Sequence, residues 1–139
     1  MKYVLIILAS IPFCNCVVQA QVKVSVSNID QRKGNIYLAL YDSEQDYMKP
    51  EKAFRKKIVA VSGLSETTIA VESIPSGRYA ILLFLDENGN GVLDKNMWGI
   101  PKEKYGFSGD KRPLMRAPSF EEASVYVEEV ASPIHISLR

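Results

Sequence analysis

The chain has 139 residues, 47% of them hydrophobic and 24% charged, with a formal net charge of +1. That length accommodates one domain with a real core. The near-neutral balance excludes the broad basic excess by which proteins grip nucleic acid, and the short run Arg55-Lys56-Lys57 reads as a solvated turn or strand edge.

In chain order, residues 1–20 carry the pattern of a secretory signal. Lys2 supplies a positive start, Tyr3 to Phe13 an apolar stretch, and Val18-Gln19-Ala20 the short side chains a signal peptidase reads, so cleavage is expected before Gln21. The apolar stretch is too short for a bilayer crossing, which takes about 20 residues. Both cysteines, Cys14 and Cys16, lie inside this segment. Phe13 and Asn15 precede them where a lipoprotein signal needs a small residue, which disfavours lipidation. A mature chain of 119 residues from the 139 follows, without a disulfide or a thiol nucleophile and with no membrane span. The expected destination is the periplasm or the extracellular space, and the expected state a monomer.

The remainder alternates with a period of two, the signature of half-buried strands. Val22, Val24 and Val26 share one face, and Lys23, Ser25 and Ser27 the other. Ile36 to Tyr41 is apolar on both faces, as a central strand is. Residues 42–56 read as an exposed connection with a helical turn or two. Strands are expected near Ile58–Val61, Thr67–Val71 and Tyr79–Leu85, the last entered through the Pro75-Ser76-Gly77 turn. Tyr79 sits where a corner tyrosine returns its hydroxyl to nearby backbone. Residues 86–118 read as one long loop, and strands at Ala123–Val130 and Ile134–Leu138 close the chain. About seven short strands without a long amphipathic helix predict an all-β fold, an immunoglobulin-like or transthyretin-like Greek-key sandwich with one long loop.

The long loop holds the chemistry. In Asp86-Glu87-Asn88-Gly89-Asn90-Gly91-Val92-Leu93-Asp94, oxygen-bearing side chains recur at Asp86, Asn88, Asn90 and Asp94. Calcium takes six to eight oxygen ligands, and Val92 stands where an EF-hand loop offers a backbone carbonyl. The match fails at the twelfth position, occupied by Met97 instead of a bidentate Glu, and a strand precedes the loop instead of a helix. The segment is therefore a candidate short calcium loop, with Glu87, Glu103 or Asp110 available to complete the shell. The same Asn-Gly chemistry also makes plain tight turns.

Downstream, Trp98, Tyr105 and Phe107 offer an aromatic platform for a glycan or a protein of the cell envelope. Alternatively they are apolar plugs holding the loop onto the sandwich, the preferred reading. Catalytic machinery is thin. His135, the one histidine, alternates with Ile134 and Ile136 as a strand residue, which leaves no His/Cys zinc site or Cys–His pair. Paired carboxylates such as Asp86 and Asp94 suit a cation better than hydrolysis. No enzyme is expected.

Gly77-Arg78-Tyr79-Ala80, then Asp86 to Gly91 with Leu93-Asp94, Gly99-Ile100-Pro101, Tyr105-Gly106-Phe107-Ser108 and Pro118 to Ala123 follow in order. This succession resembles the bacterial family known as domain of unknown function 2141. The resemblance implies an exported bacterial protein and carries over no activity or catalytic residue. Lys102-Glu103-Lys104 departs from the more acidic or glycine-containing spacer the resemblance leads one to expect.

Overall fold

The computed structural model describes residues 20–139 apart from 31, 110, 112 and 129–131. Residues 1–19 of the signal segment, with Cys14 and Cys16, and Asp110 therefore lie outside the described residues, whereas Ala20, the last residue of the segment, opens the first strand. Strands β1 (Ala20–Ser27), β2 (Lys33–Tyr41), β3 (Arg55–Ser62), β4 (Thr67–Ile74), β5 (Gly77–Asp86), β6 (Tyr105–Phe107), β7 (Ser124–Val127) and β8 (Ile134–Ser137) form two sheets. Helical structure among the described residues is one 3-10 turn, Pro50–Lys52, and the short helix α1, Phe120–Ala123. The first sheet has the order β4-β1-β8, with β1 and β8 parallel. The second has the order β3-β2-β5-β6, and β7 also pairs with β5, beyond β6 along the same edge.

The alternation read in the sequence is what closes the sandwich. Val22, Val24 and Val26 of β1 are fully buried, as are Ile36 and Leu40 of β2 and Ile81, Leu83 and Leu85 of β5. These side chains from the inner faces of both sheets form one cluster, the usual core of a two-layer β architecture. Tyr79 Oη donates to Pro75 O at 2.9 Å, the corner bond expected of it. β2 lies between β3 and β5, the central place its two apolar faces predicted.

The eight strands among the described residues fit the expected sandwich of about seven, and two expectations need correction. Residues 86–118 are not one loop, because they contain β6. A Cβ at Gly106 would come within 2.6 Å of Ile136 Cγ2, so glycine alone lets this strand lie against β8. A glycine in a three-residue strand reads as a loop from sequence. β7 runs from Ser124 to Val127, residues 129 and 130 of the expected strand lying outside the described residues, and Ala123, instead of opening that strand, ends α1. Its start signal was present as a capping box: Ser119 Oγ accepts from Glu122 N at 3.2 Å, and the Glu122 carboxylate accepts from Ser119 N at 2.9 Å. Arg116 pairs with the same carboxylate at 2.6 Å, and these bonds hold the Glu122 pKa down to about 2.

Candidate functional site

The loop after β5 folds around one carboxylate. Asp86, the last residue of β5, is fully buried. Its Oδ1 accepts from Gly89 N at 2.7 Å and Asn90 N at 3.2 Å, and its Oδ2 from Gly91 N at 2.8 Å. Burial without such donors would be very costly, so the chain wraps its own backbone N–H groups onto the charge. Gly91 closes the turn at φ +74°, in the left-handed region that glycine enters freely. Asn88 and Asn90 tighten the ring, their Oδ1 atoms accepting from Asn90 N at 3.0 Å and Val92 N at 2.8 Å.

Asp94 comes back over this ring. Its carboxylate accepts from the side-chain amide of Asn88, and from that of Asn90 at 3.1 Å for either oxygen. All five residues read as cation ligands are thus joined in one hydrogen-bonded loop, Asp86, Asn88, Asn90 and Asp94 through their side chains and Val92 through its backbone N–H. Val92 belongs to the same turn, with an exposed side chain.

The three proposed extra ligands part company. Glu103 is buried at 8% exposure, and its carboxylate spans the loop from beneath. Oε1 accepts from Glu87 N at 3.0 Å and Oε2 from Asp94 N at 3.1 Å. It is fixed beside the loop as a clamp on backbone N–H groups, a role that spacing alone did not reveal. Glu87 turns outward to Arg32, at 2.6 Å. Asp110 lies outside the described residues. No three His, Cys, Asp or Glu side chains converge as a metal-holding group among the described residues. A cation here would therefore need amide and backbone oxygens besides Asp86 and Asp94.

Beyond Asp94 the chain makes a narrow excursion closed by the Lys95–Pro101 bridge. Asn96 Oδ1 accepts from Trp98 N and Ile100 N, both at 3.0 Å. The tip carries Met97 at 87% and Trp98 at 78% exposure. Trp98 is therefore no plug, and no other ring packs on it among the described residues. The plug reading describes Tyr105 and Phe107, which are half-buried on β6 with their rings edge to face at 5.9 Å. The three aromatics do not form one platform. His135 is exposed on β8, as a strand-face residue.

Residues 24–135 match the model of a family described as "Uncharacterized protein conserved in bacteria", domain of unknown function 2141. The chain belongs to this family. The match takes in β2 to β7, the Asp86–Asp94 loop, Glu103 and the aromatic tip, so these features sit inside the family domain. No curated protein and no solved structure matches the chain. Among the described residues no helix is long and apolar enough to cross a membrane.

Proposed function

We propose that this domain is an exported, non-enzymatic binding module whose Asp86–Asp94 loop takes up a calcium ion. The observation that carries the reading is the joining of Asp94 to Asn88 and Asn90 by side-chain bonds, in the turn that wraps the buried Asp86 carboxylate. In that arrangement the two amide NH2 groups supply the positive end that Asp94 needs. A cation would displace those NH2 groups from Asp94, and the Asn88 and Asn90 Oδ1 atoms, each with a second lone pair beside its bond from Asn90 N or Val92 N, would offer it the oxygens it prefers. With Asp86 and Glu103 both engaged by backbone N–H groups and neutral donors making up the rest of the shell, the site belongs with the weak extracellular calcium modules, at a Kd of roughly 10⁻⁴ M.

The ion would order the loop and the tip beside it, which then presents Met97, Trp98 and Ile100 to an envelope protein or glycan. Export rests on the signal-like residues 1–20. A carbohydrate-binding reading is favoured by one observation, the exposed Trp98 ring; stacking on a sugar would be lost in Trp98→Ala and read on a glycan array. Tyr105 would contribute less to it, being half-buried within β6.

Thermal unfolding of the protein in excess EDTA and in millimolar calcium tests the ion. At tenfold excess over Kd, mass action adds about 1.4 kcal/mol, a midpoint rise of roughly 5 °C for a domain of this size. Magnesium at the same concentration should do less. Asp94→Ala should fold and lose the response, since its carboxylate accepts only from the two asparagine side chains. An equal midpoint in EDTA and calcium makes the loop a turn held by its own backbone.

A further inference from the structure

The outer face of the second sheet is not the polar surface expected where a sheet meets water. The register sets Ile58, Tyr37, Phe84 and Tyr105 in one row across β3, β2, β5 and β6. The next row is Lys56, Ala39, Leu82 and Phe107. Tyr37 and Phe84 stack with ring centroids 5.1 Å apart and planes 13° apart. Over this floor lies an open groove of about 420 Å³, within the roughly 300–1,000 Å³ of small-molecule sites. Val92 and Leu93 of the loop wall one side, and Met48 and Pro50 also line it. A Cβ at Gly91 would come within 3.3 Å of Tyr37 Oη, so the loop rests directly against the floor.

Two further observations say what the groove would hold. Its lining contains Lys56, Lys57 and Lys95 and no acidic residue, in a chain with 16 Asp and Glu. Lys57 Nζ is engaged by Ala70 O, whereas neither Lys56 nor Lys95 has a salt-bridge partner among the described residues. Tyr41, on the same strand face two residues beyond Ala39, also lines the groove. It is 1% exposed, and its hydroxyl has no hydrogen-bond partner among the described residues, nor has that of Tyr47, whose ring meets it edge to face at 5.6 Å away from the groove lining. A buried hydroxyl left unpartnered is rare and calls for an occupant with an acceptor. A phenol is protonated at neutral pH, and burial and the charge of Glu51 push the Tyr41 pKa further up, so the hydroxyl is a donor.

We infer that this groove binds a small amphipathic anion, an apolar body lying on Tyr37 and Phe84 with its carboxylate at Tyr41 Oη and Lys56. The apolar body would exclude water from the stacked rings, and the carboxylate would satisfy the orphan hydroxyl. Lys56 stands opposite Ala39 in the register, one step from Tyr41, and supplies the charge. Lys95 favours an anion over a cation at the loop side. None of this depends on whether the neighbouring loop holds calcium.

Isothermal titration of the full protein with decanoate, and with decyltrimethylammonium as the cation of equal chain length, tests the inference. Titrations below micelle-forming concentrations, run in EDTA and again in calcium, keep it separate from the ion reading. Decanoate should bind about tenfold more tightly than the cation. Lys56→Glu should erase that preference while leaving the unfolding midpoint unchanged. Tyr41→Phe should weaken decanoate about fivefold, the value of one hydrogen bond, without affecting the cation. Glu51→Gln, which removes the one acidic charge acting on Tyr41, should tighten decanoate. Equal binding of the two amphiphiles, no binding of either, or a preference for decanoate that survives Lys56→Glu would overturn the inference.

Discussion

Two turns in the segment between β5 and β6 use the same device and do different work. At Asp86 and at Asn96, a side-chain oxygen reaches forward to backbone N–H groups and bends the chain around itself. Asp86 gathers three donors and is fully buried. Asn96 gathers two, both at 3.0 Å, and is only half-buried. Bonds to an ionised, dehydrated acceptor are roughly twice as strong as neutral ones that water competes for. The first turn is thus part of what holds the sandwich end together, and the second merely shapes a tip. Charge and burial, not turn geometry, separate them.

The largest expected effect follows from that difference. Asp86→Ala strips three buried N–H groups of their acceptor and should destabilise the domain by about 3 kcal/mol, read as a lower urea midpoint. Asp86→Asn should fall between, because one carbonyl oxygen cannot serve all three donors. A loss under about 1 kcal/mol in Asp86→Ala would mean that water replaces the carboxylate, and the contrast with Asn96 would collapse.

Next in size is Glu103. Its two oxygens hold Glu87 N and Asp94 N, tying the two ends of the loop together. Glu103→Ala should remove about 2 kcal/mol, with the loss visible first as faster amide exchange at Glu87 and Asp94. If Glu103→Gln is equally damaging, charge matters and not the hydrogen-bond count, since glutamine can still accept at one of the two positions.

These two carboxylates also show what was legible before the structure. Asp86, Asn88, Asn90 and Asp94 were visible as a set because the turn chemistry is local, each residue acting within five or so of itself. Glu103 was visible only as a nearby acid. Its true task, accepting from the backbone of residues 16 and 9 positions earlier, needs β6 to return the chain alongside β5. β6 itself hid behind Gly106, whose missing side chain is what permits the close approach to Ile136. The inner faces of the strands read cleanly from period-two alternation. The apolar outer face could not be told from a second core, since Ile36 to Tyr41 simply looks buried all round. Deciding that Tyr37 and Ala39 floor an open groove requires knowing that among the described residues only the loop and the stretch around Met48 and Pro50 border them.

A smaller effect is expected at the second turn. Asn96→Ala leaves Trp98 N and Ile100 N at an exposed tip, where water takes over most of what is lost, and should cost about 1 kcal/mol or less. The Asn96 N to Ile100 O bond at 2.8 Å and the Gly99 N to Asn96 O bond at 2.9 Å remain to keep the tip closed. The variant separates shaping from anchoring: the tip should become mobile in amide exchange while the unfolding midpoint hardly moves. A cost matching that of Asp86→Ala would show that the tip anchors the fold after all.

The smallest expected change is the most informative about function. Trp98 is the largest side chain in the protein to stand mostly in water, at 78% exposure, and Met97 beside it is more exposed still. Trp98→Ala should alter stability by no more than about 0.5 kcal/mol, as for surface sites that touch nothing. A sequence that spends a tryptophan where it contributes nothing to the fold exposes an apolar patch, a liability in solution unless something else meets it. Unchanged unfolding together with lost binding to a glycan or a protein would assign the tip to recognition. A loss of 2 kcal/mol or more, the scale of a packed aromatic, would mean that Trp98 folds back as the plug its exposure denies, and would leave the groove over Tyr37 and Phe84 as the recognition surface of the domain.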